Sequence, residues 1–207
     1  MAQKEHIIRA ASEMFATYGI KAVRMDDIAH ELGVSKRTLY ELFGDKEELL
    51  YEAMMELFAS KRAAHMAIAS QAENLLEAMF MVLNKTMEEA PVHERLIENL
   101  RKFYPKVFER LKSVGVEENN RSLLRLIEQG IREGFFVEWM NCELTMAIFC
   151  GVARSLKGEK GNLNIPSQIS EREAFIQMIT TLFRGIATAK GCELIDSYAA
   201  RYRKSNI

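Results

Sequence analysis

Of the 207 residues, 48% are hydrophobic, 28% are charged and only three are proline, a composition that excludes a disordered chain and favours a helix-rich globular protein. The formal net charge of -1 excludes a protein that coats nucleic acid non-specifically, although it permits binding to one specific site. The cysteines form no CxxC pair, the N-terminus has no apolar signal core, and the longest apolar run, Met146 to Ala153, is too short to cross a bilayer. We therefore expect a cytoplasmic protein without a membrane partner and with reduced cysteines (Cys142, Cys150 and Cys192).

The first predicted helix covers residues 3–18 and ends at Gly19, which can adopt the left-handed conformation that stops a helix. Its apolar residues recur every three or four positions and define one face (Ile7, Ile8, Ala11, Met14, Phe15 and Tyr18). This face predicts that the helix packs on the segment that follows and completes a three-helix unit.

Residues 25–46 predict two short helices that cross at a tight turn. Gly33 is suited to the turn, and Ser35 is suited to cap the second helix. The apolar residues fall three or four apart in each helix, with a small alanine where the helices approach most closely (Ile28, Ala29, Leu32, Val34, Leu39 and Leu42). The pattern is typical of a helix-turn-helix.

The outward face of the second helix carries hydroxyls and cations near its N-terminus: Ser35, Lys36, Arg37, Thr38 and Tyr40. A helix that reads the major groove needs such groups to meet phosphates and guanine edges. The alternative is a helical hairpin with a solvated charged face. Apolar, small, glycine and cap positions agree across the segment, which favours the DNA-reading interpretation.

The remaining chain also predicts helices throughout. Asp45 and Glu48 form a capping box at the start of a helix over 46–70, which connects the first unit to the rest of the protein. The later predictions, in order, are a helix from 71 to Pro91, a short one over 92–103, one interrupted at 115–120 and ended by Gly134, one over 141–155 capped by Asn141, a polar connector at 157–169, one over 170–188 capped by Ser170, and a basic tail with Arg201, Arg203 and Lys204.

At these residues the chain resembles the TetR family of one-component transcriptional regulators. The family's N-terminal pattern is carried here by ten positions (Gly19, Ile28, Ala29, Gly33, Val34, Ser35, Thr38, Tyr40, Phe43 and Lys46). Arg24 replaces the Thr that usually caps the first helix of the motif, and Leu42 replaces a His, Tyr or Arg. The resemblance implies an all-α fold, with an N-terminal three-helix helix-turn-helix DNA-binding domain at 1–45 and a C-terminal helical ligand-binding and dimerisation domain at 46–207. Arg24 and Lys46 join the expected DNA contacts, each through a phosphate.

One recognition helix reads only a few base pairs, so we expect a homodimer that places two of them about 34–36 Å apart on an inverted repeat in double-stranded DNA. The predicted interface lies on helices 141–155 and 170–188, whose counterparts pair in the family. Its residues are small or apolar (Ala147, Gly151, Phe175, Ile179, Leu182, Phe183 and Ile186).

Residues 71–155 are rich in methionine and aromatic side chains, which line an adaptable pocket in some proteins and a plain core in others. The candidates for a pocket are Met79, Phe80, Leu83, Phe103, Tyr104, Phe108, Met146 and Phe149. The family resemblance implies a small-molecule effector here. Its binding would tilt the connecting helix and release a repressor from its operator.

Two other classes of protein fit the sequence less well. The chain has no GxxxxGK[ST] or GxGxxG motif, and His93-Glu94 does not complete HExxH because Ile97 stands at the second ligand position, so no catalytic residue, metal site or cofactor is predicted. The alternative to a DNA-binding regulator is an adaptor or ligand carrier on the same helical scaffold. In an adaptor the outward face of the second motif helix would have no evident purpose.

Overall fold

The computed structural model describes residues 2–156, 166 and 168–204. These residues form nine α-helices and no β-strand, apart from an isolated antiparallel bridge between Phe136 and Ala187. The predicted all-α class is confirmed. The helices are α1 (Ala2–Tyr18), α2 (Met25–Glu31), α3 (Lys36–Phe43), α4 (Lys46–Ala69), α5 (Leu75–Phe103), α6 (Pro105–Arg132), α7 (Cys142–Leu156), α8 (Glu171–Ile186) and α9 (Ala189–Lys204). In the part of the chain so described, none is long and apolar enough to span a membrane.

The chain divides into two compact units. Unit 1 consists of Met1–Ala67 and Glu88–Glu117. One apolar core joins the first three helices to the start of α4 and to the corner where α5 ends and α6 begins. Its buried members include Ile7, Phe15, Ile28, Leu39, Leu49, Leu50, Met54, Leu96, Leu100 and Val107. The helix-turn-helix is therefore held in place by residues far beyond the motif.

Unit 2 consists of Ile68–Met87 and Glu118–Ile207. Its core is rich in aromatic side chains, centred on Phe183, whose ring centroid lies 5.1 Å from that of Phe149 and 6.0 Å from that of Phe136. Such aromatic pairs add to the free energy of burial through their ring geometry.

Three predictions about the helices after α4 are wrong. The helix predicted to end at Pro91 continues to Phe103, so the separate helix over 92–103 does not exist. The interruption predicted at 115–120 is absent, because α6 runs unbroken from Pro105 to Arg132. Both helices bury apolar residues on either side of the doubtful segment, and this packing outweighs the local preference to stop.

The third error concerns the C-terminus, where α9 replaces a simple basic tail. The predicted helix over 170–188 ends at Ile186, and α9 begins at Ala189. Ile195, Tyr198 and Ala199 are buried at helical spacing, which explains why this segment folds. Arg201 lies near its end and donates to Glu77 at 2.7 Å. The side chains of Arg203 and Lys204, and the connector residues 157–165 and 167, lie outside the described part.

Candidate nucleic-acid interface

The turn of the helix-turn-helix forms as predicted. Gly33 adopts φ +62°, a conformation that side chains with a Cβ rarely accept, and the Val34 N–H donates to the carbonyl of Ala29 at 3.0 Å. Ser35 then caps α3, since its Oγ accepts from the N–H of Thr38 at 3.0 Å. The cap at Asp45 is also present, with the Glu48 N–H donating to Oδ1 at 2.9 Å.

The inward residues of the motif lock the orientation of α3. Ile28 and Leu39 are fully buried, Phe43 and Ala29 are nearly so, and the remaining apolar residues of the motif pack against this cluster while partly exposed (Leu32, Val34 and Leu42). Burying a side chain of this size contributes roughly 1.5–3 kcal/mol. The outward face of α3 is therefore presented by a rigid support.

On that outward face, Arg37 is 86% exposed and Lys36 is about half exposed. Each cation has an intramolecular carboxylate partner: Lys36 Nζ lies 2.8 Å from Asp26 on α2, and Arg37 Nε lies 2.7 Å from Glu41 one turn along α3. The hydrogen bond to Asp26 raises the pKa of Lys36 above its ordinary value. Ion pairs this exposed are weak, so a phosphate oxygen can replace either carboxylate at little cost.

The hydroxyl-bearing residues of the same face differ in their freedom to bind a ligand. Tyr40 is exposed. The Ser35 hydroxyl already serves as the cap and lies 2.8 Å from the Thr38 hydroxyl, within hydrogen-bond distance. Ser35 and Thr38 are thus coupled, and one of the two hydroxyl protons is used between them.

Arg24 occupies the N-cap of α2 with extended backbone, φ -106° and ψ 161°. Its own N–H donates to Oδ2 of Asp27 at 2.7 Å, so the first turn is closed by the carboxylate three residues on. The expected loss of a threonine cap is thereby partly offset, and the Arg24 side chain remains exposed.

Lys46 has a different environment from the other predicted DNA contacts. Its Nζ donates to the carbonyl of Ile20 at 2.8 Å and lies 5.8 Å and 5.4 Å from the ring centroids of Phe15 and Tyr104. Four elements of unit 1 thus meet at this ammonium. Sequence reasoning missed the arrangement because none of the partners is close to Lys46 in the chain.

The eight residues proposed for a pocket do not form one group. Met79, Phe80 and Phe149 are buried in the core of unit 2, with Leu83 and Met146 partly exposed in the same unit. Phe103, Tyr104 and Phe108 belong to unit 1, where two lysines lie over the Phe103 ring. A cavity of about 20 Å³ in unit 2 is lined by Phe80 and Leu83 from the predicted set.

The residues proposed for a dimer interface also differ in exposure. Ala147 is exposed and Gly151 is partly exposed on α7. Ile179 and Phe183 on α8 are buried in the core of the single chain, and the other three pack partly exposed against that core (Phe175, Leu182 and Ile186). α7 also exposes Leu144 and Ile148, which sequence reasoning did not single out although they lie at helical spacing with Ala147 and Gly151.

Comparisons with known proteins identify a family for the N-terminal part of the chain. Residues 7–53 match the family described as bacterial regulatory proteins, tetR family. The uncharacterized HTH-type transcriptional regulator YhgD of Bacillus subtilis (strain 168) is 29% identical over 143 residues, which cover 64% of this chain and 69% of YhgD.

Two solved structures share the fold. A TetR-family transcriptional regulator from Pectobacterium atrosepticum aligns with TM-score 0.64 and 21% identity over 90% of this chain and 95% of its own. A regulator of the TetR/AcrR family from Thermobifida fusca YX-ER1 aligns with TM-score 0.57 and 23% identity over 89% and 98% of the two chains. The family match and the capped helix-turn-helix observed in unit 1 identify residues 7–53 as a DNA-binding segment of the tetR family type. The solved structures show that the rest of the chain has the fold of TetR-family transcriptional regulators.

Proposed function

We propose that this protein is a cytoplasmic homodimeric repressor that binds an inverted-repeat operator through α3 and is released from it by a small-molecule effector. The observation that carries the proposal is the outward face of α3, where Lys36, Arg37 and Tyr40 are exposed on a helix anchored by buried Leu39 and Phe43. Repression is favoured over activation because blocking a promoter requires only binding.

Lys36 and Arg37 exchange Asp26 and Glu41 for phosphate oxygens or a guanine edge in this proposal. Arg37 is the candidate for the guanine, since its planar guanidinium can donate two parallel hydrogen bonds to the base. Tyr40 donates to a phosphate near the positive end of α3, as does whichever of Ser35 and Thr38 does not donate to the other.

Arg24 and Lys46 flank this set. The exposed Arg24 side chain is available to a phosphate, whereas Lys46 can reach one only by leaving the carbonyl of Ile20. We therefore assign Lys46 the smaller share of the binding free energy.

We further propose that two protomers pair through α7. Leu144 is 61% exposed and Ile148 is 47% exposed, and with Ala147 and Gly151 they form one stripe along the helix. Large apolar side chains exposed in a row favour association, and small residues between them allow two helices to approach closely. Thr181 and Gly185, exposed on α8, are candidates to extend this surface, because Ile179 and Phe183 are occupied inside the protomer.

The dimer is tested by mass measurement in solution. Replacing both Leu144 and Ile148 with Glu should convert a dimer into a monomer at micromolar concentration. Met66→Glu is the matched control, since Met66 is also a strongly exposed apolar residue but lies on α4. Trp139, the single tryptophan, is 82% exposed near the start of α7, so its emission offers a second readout of pairing. A wild-type protein that is monomeric would exclude the dimer.

The function is tested by selection from a random-sequence DNA pool at moderate salt. Wild-type protein should enrich an inverted repeat with half-sites about one helical turn apart, and Arg37→Ala should enrich a repeat in which one base pair of each half-site is no longer specified. If a folded wild-type protein enriches no motif, an adaptor or ligand carrier on this scaffold becomes the better description.

A further inference from the structure

A small cavity in unit 2 lies between α5, α8 and α9. Its volume is about 20 Å³, room for roughly one water molecule. Six of the lining side chains are apolar (Phe80, Leu83, Met87, Phe175, Ile176 and Ile179), and the Phe80 ring stacks on Tyr202 with centroids 6.0 Å apart. Asn84, Arg172 and Tyr202 complete the lining.

Arg172 differs from the neighbouring arginines in the partner that it meets. On α8, Arg184 pairs with Asp196, and on α9, Arg201 pairs with Glu77. Arg172 donates instead through Nη2 to the neutral side-chain oxygen of Asn84, and among the residues that the structure describes it has no carboxylate partner. A guanidinium that is partly withdrawn from water and whose described partner is a neutral amide is a favourable place for an anion.

We propose that Arg172 and this cavity form a binding site for a compact amphipathic carboxylate. The carboxylate accepts from Arg172, and the apolar body of the ligand lies among Phe80, Ile176 and the other apolar side chains of the wall. As the effector site of a ligand-released repressor, the assignment rests on the proposed function.

The described state of the site is closed, because ligand sites of this kind typically measure about 300–1,000 Å³. Met87 is the side chain best suited to move aside, since it is unbranched and flexible and is only partly buried. A carboxylate that occupies the cavity must therefore stabilise an opened arrangement of this wall.

The backbone of α5 lacks one helical hydrogen bond beside this same wall. In an α-helix the carbonyl of Met87 accepts from the N–H of residue 91, but residue 91 is proline and has no N–H. Met87 is also the last α5 residue of unit 2, and the helix continues into unit 1 from Glu88. A ligand that displaces Met87 thus acts on α5 where a helical hydrogen bond is missing, and this offers a route by which occupancy changes the population of α5 conformations.

The binding test uses the full-length protein and three probes that share one tail: octanoate, octanol and octyltrimethylammonium. Melting temperature and isothermal titration should show that octanoate stabilises the protein and binds about tenfold or more tightly than octanol, with the cation binding weakest. No stabilisation by octanoate, equal binding of octanol, or preference for the cation would overturn the proposal.

Variants of Arg172 test whether its charge, and not its contribution to folding, causes the preference for octanoate. Arg172→Gln should remove the preference for octanoate over octanol, and Arg172→Lys should keep part of it. Arg184→Gln is the matched control, because it makes the same substitution on the same helix away from the cavity wall and should bind octanoate like wild type. If Arg172→Gln unfolds the protein, Arg172→Lys is compared with wild type instead. A preference for octanoate over octanol that is unchanged in Arg172→Lys would contradict binding of the carboxylate by the planar guanidinium.

Measuring operator affinity with and without octanoate tests the proposed site separately from the proposed release of the operator by a ligand. Octanoate that binds through Arg172 and lowers operator affinity supports both. Octanoate that binds through Arg172 without changing operator affinity supports the site and contradicts ligand release through it. Another ligand that releases the operator equally well from wild type and Arg172→Gln supports release and overturns this site.

Discussion

Replacing Arg37 with Ala is expected to impair DNA recognition while leaving the fold intact. Within the chain, the described contact of its guanidinium is the ion pair with Glu41 at 2.7 Å, and the side chain is 86% exposed. A surface pair four residues apart on a helix contributes about 0.3–0.5 kcal/mol, and alanine is the best helix former, so the free energy of unfolding should change by less than about 0.5 kcal/mol.

The loss on DNA should be much larger. If Arg37 donates two hydrogen bonds to one guanine, its removal costs roughly 1–3 kcal/mol, or about 5-fold to 150-fold in the dissociation constant. Discrimination should relax at that one base pair, because the other contacts stay. Lys36→Ala should instead weaken binding to all sequences alike and lower the salt dependence by about one counterion, as expected for a phosphate contact.

Fluorescence anisotropy with the selected operator and with a scrambled duplex, over a range of salt, measures both effects. Arg9→Ala is the matched control: Arg9 is 70% exposed on α1 and lies 3.9 Å from Glu56, so its loss changes the net charge equally without touching α3. Unchanged operator affinity in both the Arg37 and Lys36 variants would mean that α3 does not present the binding face. An equal loss of operator affinity in the Arg9 variant would mean that the change in net charge, and not a contact made by α3, causes the loss.

The remaining predictions concern the same face, the turn and the core of unit 2. Glu41→Gln should strengthen operator binding by up to about fivefold, because Arg37 loses its internal competitor; unchanged anisotropy would argue against that competition. Gly33→Val should cost about 1–2 kcal/mol at φ +62°, and an unaltered melting curve would contradict the turn. The N–H of Glu73, and then Arg201, lower the pKa of Glu77 below its ordinary 4.5. Its contribution to stability is therefore complete above about pH 4.5 and is lost as pH falls through the lowered value, so melting temperatures of wild type and Glu77→Gln should converge in acid.

The parts of the fold that sequence reasoning predicted are those decided within a few residues. Gly33, Ser35 and Asp45 each act on a backbone group no more than five positions away, so their residue type alone indicates the turn or the cap. The inward residues of α2 and α3 follow from helical spacing in the same way.

Whether α5 continues through Pro91 depends on which side chains pack against it, and spacing along the sequence does not reveal those partners. Pro91 lowers helix stability by about 3 kcal/mol, yet α5 buries Leu76 and Phe80 before it and Leu96 and Leu100 after it. Burial of four such side chains outweighs that cost. The sequence shows the proline and the apolar residues, but the extent of burial is known only when the packing partners of α5 before and after Pro91 are known.

Sequence reasoning ended the preceding helix at residue 188 but missed α9, which begins at Ala189, and neither glycine nor proline marks the break between the two helices. Thr188 makes the break: its hydroxyl donates to the carbonyl of Gly134 at 2.8 Å, its N–H donates to the carbonyl of Phe135 at 2.9 Å, and its Oγ1 accepts from the N–H of Gly191 at 3.2 Å. A Cβ on Gly191 would lie 2.2 Å from the Phe135 oxygen, so the glycine serves this close approach. The two carbonyls stand more than fifty residues away in the chain, where a local pattern cannot find them.

The predicted DNA contacts also divide into residues whose direction follows from local spacing and one residue whose direction depends on groups distant in the chain. Lys36 and Arg37 lie outward because buried Leu39 occupies the other side of α3, which spacing alone predicts. Lys46 begins a helix, where spacing says little, and its direction is set by Ile20, 26 residues away, and by the rings around it. A phosphate would therefore take Lys36 or Arg37 from an exposed carboxylate, but it would take Lys46 from a backbone carbonyl that would then lack this donor. DNA attraction in the proposed complex thus falls mainly on α3, while Lys46 holds the start of α4 against the chain that leads into α2.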